Sequence, residues 1–498
     1  MAMGGGAYGA SVLLLFASIV LGGATRTGYL ADVLLQFLSL PFLALAAWLW
    51  LDRLTVPPGR PRLSFGLACG AAIAVVGLLL ALAQFFPLFG APGWGGLSAR
   101  LVAAGGQGLE GVAWTGSSSV DPAASLAALP AVLPPLALFL LVALLDEERR
   151  LRFSGWAVVF GFLALFLGIL QVMQGPASAL RFFEISNRSE SVGFFANRNH
   201  FAAQLYVTFL LGVAWFVGRG DRVLGHRGPS TPKVIWLAGA FCLGLLIMAG
   251  IALARSRAGI LLLLLGLAGV VVMAPLILAV LRGRAAAPRR VRSLVLAVLV
   301  GLVLLVGQLG ADRFLGRFGG GLVDQMRANL NETTLQAALE ALPFGTGLGT
   351  FTAVFPVYEG AATLGPQYVN RAHDDWVEFF LETGLAGGLL VALFLVWFGA
   401  RVYRLWIAPE ETGATRLLVL QQCASLAVLL LLLHSFVDYP LRTAAMLAYF
   451  AACCALMTPA AALARITRQA RTPTVPAVPT RAAPARRPMR SPGAGART

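Results

Sequence analysis

The stretch VIWLAGAFCLGLLIMAGIALARSRAGILLLLLGLAGVVVMAPLILAV, residues 234–280, is two apolar runs joined only by Arg255, Ser256 and Arg257. Each run is long enough for a helix to cross a hydrocarbon layer roughly 30 Å thick, and the two together are too long for one crossing. The arginines therefore mark a tight turn between two spanning helices. Similar runs recur at 7–25, 30–51, 64–89, 125–145, 155–175, 199–217, 293–311, 376–400, 416–434 and 443–462, which makes about twelve spans. A hydrophobic content of 58% and a mean hydropathy of +0.80 exceed what a soluble core needs. Backbone groups in lipid must be satisfied within helices or a closed barrel, and continuous runs rather than alternating residues exclude the barrel. The expected fold is an all-α, polytopic membrane protein.

Charge then sets topology. A net charge of +16 would suggest nucleic acid in a soluble protein. Here the basic residues collect in alternate loops: Arg53, Arg60 and Arg62; Arg149, Arg150 and Arg152; Arg219, Arg222, Arg227 and Lys233; Arg282, Arg284, Arg289, Arg290 and Arg292; Arg401, Arg404 and Arg416. By the positive-inside rule these loops and both termini face the cytoplasm, so membrane lipid rather than nucleic acid is the expected partner. The run at 7–25 lacks a basic flank ahead of it and is expected to be the first span, not a cleaved leader. Cys69, Cys242, Cys423, Cys453 and Cys454 lie inside apolar runs without CxxC spacing, which fits small packed side chains and neither disulfides nor zinc. The organisation expected is spans 1–9 over residues 1–311, a large external loop at 312–375, spans 10–12 over 376–462, and a disordered basic cytoplasmic tail at 463–498.

The external loops hold the polar clusters that topology does not require. ESVGFFANRNHFAAQ (190–204) brings Asn197, Arg198, Asn199 and His200 to the start of a span, a polar cap or an anion site at a helix N-terminus. Arg255 and Arg257 sit on the external side against the positive-inside tendency; they snorkel to headgroups or bind a phosphate through bidentate guanidinium contacts. In the long loop, NETTLQAALEAL (331–342) reads as a short helix capped by Asn331, with Leu335, Leu339 and Leu342 on one face and Pro343 ending it. Arg327 precedes it, and GTGLGTF (345–351) follows as a turn whose amides are free to touch a ligand. VNRAHDDWVEFFLETG (369–384) then gathers Arg371, His373, Asp374, Asp375, Glu378 and Glu382 where a helix enters the membrane. His373 is a candidate general base, with the carboxylates orienting it or holding sugar hydroxyls. HSFVDYPLR (434–442) supplies His434, Asp438 and Arg442, either an ion pair between two helices or the far wall of the same site. One histidine among arginines disfavours a metal site.

These pieces, GFFANRNHFA (193–202), LARSRAG (253–259), Arg327 with ALPFGTGLGTFTAVFPVY (341–358), AHDDWVEFFLETGLAGG (372–388) and HSFVDYPLR, resemble in order and spacing the bacterial O-antigen ligase and polymerase family. The resemblance implies a GT-C-like helical glycosyltransferase without metal or other cofactor. It would take a glycan from an undecaprenyl-pyrophosphate donor, at the periplasmic face of the inner membrane, and invert the anomeric carbon. The family's essential histidine matches His373, and its arginines match Arg257 and Arg327. Arg255, Arg198, Asn199, Asp374, Asp375, Glu378 and Arg442 are then the expected substrate-binding residues. Asp374 stands where the family usually has Asn, and Arg198 where Pro is common. The acceptor implied is a second lipid-linked glycan for a polymerase, towards which the PxY after GTGLGTF and the HSFVDYPLR ending lean, lipid A core for a ligase, or a protein; a chain-length regulator is an expected partner. A lipid-linked oligosaccharide transporter is the alternative from another class, but repeated halves with midplane charges are not evident.

Overall fold

Every regular element among the described residues is a helix, as the continuous apolar runs require. The computed structural model describes residues 2–26, 28–54, 64–86, 118–183, 187–224, 231–282, 322–359, 369–409 and 415–460. In chain order the helices are α1 (Ala2–Leu21), α2 (Leu30–Leu54), α3 (Phe65–Ala83), α4 (Pro122–Ala128), α5 (Leu133–Ala143), α6 (Glu147–Gln174), α7 (Arg198–Leu224), α8 (Thr231–Ala254), α9 (Arg257–Arg282), α10 (Leu322–Glu340), α11 (Phe351–Val354), α12 (Asp375–Trp406), α13 (Arg416–His434) and α14 (Ala444–Leu456). A single 3-10 turn, Leu129–Val132, joins α4 to α5. Nine candidate membrane spans lie among the described residues, with α4 and α5 counted as one, and two shorter apolar helices, Gly5–Leu21 and Ala444–Leu456, accompany them. The expected span at 293–311 lies outside the described residues. The chain is a polytopic all-α membrane protein.

Helices α7 and α13 form the centre of the bundle, and α8 lies at its margin with Phe241, Leu237 and Ile235 exposed. Small residues bring the central helices close, as packing without a hydrophobic drive between helices demands. On α6, a Cβ at Gly168 would stand 3.0 Å from the Phe201 ring, and one at Gly155 would press on the Trp215 indole. The loop before α7 is tied down by Gln171, whose amide donates to the carbonyls of Leu180 and Gly193 and whose oxygen accepts from Val192 and Gly193. That loop consequently presents Glu190 and Arg198 on a fixed support.

Helix α10 begins well before the sequence suggests: it runs from Leu322, so Asn331 is interior and not a cap. Its buried face is also different. Thr334, Ala337 and Ala338 are buried, with Ala341 just beyond the helix, whereas Leu335 and Leu339 are 43% and 56% exposed. Small residues win because α10 packs directly on α12, and a leucine face would hold the two apart.

Helix α12 breaks at Gly384, whose φ of 57° and ψ of −146° are open to glycine at little cost. The GTGLGT loop fills this break. Thr346 and Gly347 donate to the carbonyls of Leu381 and Glu382, both at 2.9 Å, and Leu385 donates to Pro343. Gly345 donates to Ala341, Leu348 to the Gln84 side chain and Gly349 to the Glu382 carboxylate. All five amides from 345 to 349 are thus spent inside the fold. The loop is a splice that holds α12 in two segments, not a row of amides open to a ligand.

Candidate functional site

Two non-glycine residues among those described have positive φ: Arg255 at 51° and His373 at 58°. Such conformations are strained for residues with a Cβ and gather at functional sites. Both belong to the pieces singled out from sequence.

His373 ends the loop that leads into α12. Asp374 follows as the N-cap of α12 and accepts from the amides of Trp376 and Val377 at 2.9 and 3.2 Å. This explains the local form, since a cap must be extended and the residue before it turns the chain. Burial pushes the Asp374 carboxyl above its ordinary range, although the two amide bonds oppose this. The imidazole of His373 faces Asp438 instead: Nδ1 lies 3.4 Å from Oδ1, outside good hydrogen-bond alignment, with the His373 side chain 27% exposed and Asp438 buried. Asp438 is ringed by donors. Asn199 Nδ2 donates to it, the Tyr439 amide donates at 3.0 Å, and Asn197 Nδ2 lies 3.4 Å away. Asp438 was legible only as part of a helix-end ion pair or far wall, yet it is the carboxylate beside His373. Tyr439 stands edge-on to the His373 ring at 4.9 Å, and burial together with Asp438 raises its phenol well above the ordinary value.

Asp375, Glu378 and Glu382 occupy one face of α12 and surround Arg442 rather than opening outward. Arg442 Nη1 donates to Glu382 at 2.6 Å and lies 3.6 Å from Glu378, while its Nε lies 3.6 Å from Asp375. Burial disfavours the Arg442 cation, but the three carboxylates outweigh it and hold the guanidinium charged. Asp375 also accepts from the Ser435 hydroxyl and the Leu441 amide, and Glu378 accepts from Arg371 and the Ala372 amide. This network fastens the turn carrying Asp438 to the helix following His373. Its carboxylates are engaged with protein groups, and a guanidinium occupies the position between them.

The second cluster is cationic. Ser256 caps α9 by accepting from the Gly259 amide at 3.1 Å, which leaves Arg257 as the first helical residue, exposed at the surface. Arg255 is 69% exposed and its Nη1 stands 4.0 Å from Glu190, and Arg198 donates to the same Glu190 oxygen at 3.1 Å. Arg181 adds a hydrogen bond to the Glu190 carbonyl. The buried Glu190 is the residue that assembles these arginines, and no sequence pattern distinguished it. Arg327 lies within α10, and its side chain is outside the described residues, as are Arg313 and Arg317. The two clusters are joined through α7: Arg198 faces Glu190, and the next residue, Asn199, holds Asp438.

A strained histidine against a buried carboxylate, next to an arginine cluster, forms a candidate polar site in a polytopic membrane protein. Residues 241–392 match the family model described as O-antigen ligase, a segment that includes Arg255, Arg257, the long loop and His373. This segment is similar to the O-antigen ligase and polymerase family and supports a glycosyltransferase activity of that broad type. No curated protein matches the chain.

Proposed function

We propose that this chain takes a glycan from an undecaprenyl-pyrophosphate donor and attaches it to an acceptor hydroxyl at the periplasmic face of the inner membrane. The acceptor is a second lipid-linked repeat unit, so the product is a growing O-antigen or exopolysaccharide chain. The observation that carries the reading is His373, held at a left-handed residue with Nδ1 turned to the buried Asp438. An imidazole so placed keeps its other nitrogen, Nε2, for the acceptor.

In the step proposed, Nε2 removes the acceptor's O–H proton as that oxygen attacks C1 of the donor sugar. The bond from C1 to the diphosphate oxygen breaks, its electron pair leaves with the diphosphate, and the anomeric configuration inverts. The imidazolium formed faces Asp438, a carboxylate that stabilises it as charge develops. Arg257 and Arg255, with Arg198 and Arg327, balance the departing diphosphate, a task for bidentate guanidinium donors. Asn199 and Asp374 serve by fixing Asp438 and the start of α12; Asp375, Glu378 and Arg442 serve by fixing the turn. This reading reassigns those five residues from substrate contact to support.

The description of the matched family favours a second reading, transfer onto lipid A core. Glycan analysis of cells lacking the protein separates the two. Single repeat units left on lipid are expected for a lost polymerase, and long unattached chains would indicate a lost ligase. If His373→Ala, present at normal levels, restored wild-type glycan to those cells, both readings would fail.

A further inference from the structure

His200 stands in the same cluster, and the transfer step does not use it. It is the third residue of α7, fully buried, with Nε2 3.9 Å from Asp438 Oδ1, the oxygen that also faces His373 Nδ1. Two imidazoles therefore address one carboxylate oxygen. The Tyr439 ring is edge-on to both, at 4.9 Å from each. Asn197 Nδ2 bridges the group, 3.4 Å from His200 Nε2 and 3.4 Å from Asp438 Oδ2. His200 Nδ1 has no hydrogen-bond partner among the described residues. With its proton on Nε2, His200 points an N–H at Asp438 from 3.9 Å, longer than a hydrogen bond, while the Asn197 amide serves Asp438 Oδ2.

We infer that His200 is a positioning residue that shares Asp438 with His373 and so limits how tightly that carboxylate holds a proton on His373. The inference rests on the role of His373 proposed above. Each donor that satisfies Asp438 weakens its attraction for an imidazolium opposite. Asn199, Asn197 and the Tyr439 amide donate to Asp438 directly, and His200 adds its ring from 3.9 Å. The other charged and titratable groups acting here are Arg371 and Asp374 flanking His373, Tyr439 on the turn, and His434 on α13 behind His200. All of these stay in place when His200 is changed.

The test follows carbethoxylation of His373 by diethylpyrocarbonate in the full chain in detergent, read by mass spectrometry of the peptide that bears it, across pH. Only the unprotonated ring reacts. In His200→Phe the reaction below its pH midpoint should slow by about threefold, equivalent to roughly half a pH unit, and be unchanged well above it. His200→Gln keeps an N–H donor and should match the wild type. Asp438→Asn should move the profile to lower pH. An unmoved profile in His200→Phe, or an equal shift in His200→Gln, would overturn the inference; should the Phe variant not accumulate, His200→Met carries the same test. Because the readout needs no activity, the two failures separate. A shifted profile in a chain without transfer activity would end the transferase reading alone, and an unshifted one in an active chain would end the tuning role alone.

Discussion

The two ends of the bundle use buried arginine differently. Away from His373, Arg150 is fully buried and donates to the carbonyls of Ala143, Leu145, Leu456 and Thr458 at 2.6 to 3.2 Å, and Arg401 donates to Met457 at 2.9 Å. These carbonyls lie at the C-terminal ends of α5 and α14, where backbone acceptors lack intrahelical partners and the dipole is negative. The guanidinium there completes helices. At the His373 end, Arg442 is met by three carboxylates, whereas Arg255 is exposed, on a strained residue, with its carboxylate 4.0 Å away. An arginine whose donors are spent on the fold stabilises it; one kept strained and open fits a ligand. Substitutions at the two ends should therefore separate stability from activity.

The largest effect is expected at the open end. His373→Ala should lower glycan transfer by about 10²- to 10⁴-fold, the range for a lost general base, with an unfolding midpoint in detergent close to wild type. Arg255→Ala should likewise lose transfer without losing fold, since the side chain removed is exposed and makes no tight ion pair. A marked fall in the unfolding midpoint of either variant would erase the contrast. Next comes Arg442→Ala, which leaves Asp375, Glu378 and Glu382 facing one another with only Arg371, paired to Glu378, to balance them. Breaking a buried pair in this way costs about 3–5 kcal/mol, so the variant should accumulate poorly. Wild-type stability would mean the network is idle.

Arg150→Met sharpens the comparison from the other side. Removing the donor strands several buried carbonyls, at about 1–3 kcal/mol for each one that water does not reach, so a total near 3 kcal/mol is expected. Transfer per folded molecule should not change. A loss of specific activity exceeding the loss of folded protein would show that the far end reaches the site.

What sequence could supply follows the same division. Apolar runs such as 258–281 and 416–434 located α9 and α13 closely, because run length is set by the hydrocarbon layer and needs no tertiary knowledge. His373 and Arg255 were legible because charge at a helix end expected to be external has no topological reason to be there. The partner of His373 was not. Asp374 and Asp375 are its neighbours in sequence and drew the orienting role, yet the first is spent on a helix cap and the second on Ser435 and Leu441. Asp438 reaches His373 only because the Arg442 network folds the last turn onto α12. Arg150 shows the converse: its loop position read as a topological charge facing the cytoplasm, and burial under backbone carbonyls depends on where α14 ends. The open amides expected of GTGLGT failed for a similar reason, since the break at Gly384 that consumes them lies in another segment.

The smallest expected effect concerns Asp374, where the family resemblance expects Asn. A cap needs a short side chain with an acceptor, and Asn and Asp rank together there, so Asp374→Asn should change stability by no more than a few tenths of a kcal/mol while Asp374→Ala should lose about 1 kcal/mol. The pH dependence separates the two acidic possibilities. Burial raises the folded-state value of Asp374 above its ordinary 3.8, so the folded chain prefers the neutral form. The stability this contributes is complete below 3.8 and is lost as pH rises through the raised value. Asn stays neutral throughout. The wild type should therefore match Asp374→Asn in acid and fall slightly below it towards neutrality, as followed by thermal unfolding in detergent across that range. A wild type that instead gains on the Asn variant as pH rises would mean the ionised carboxylate is favoured by the α12 N-terminus more strongly than burial opposes it.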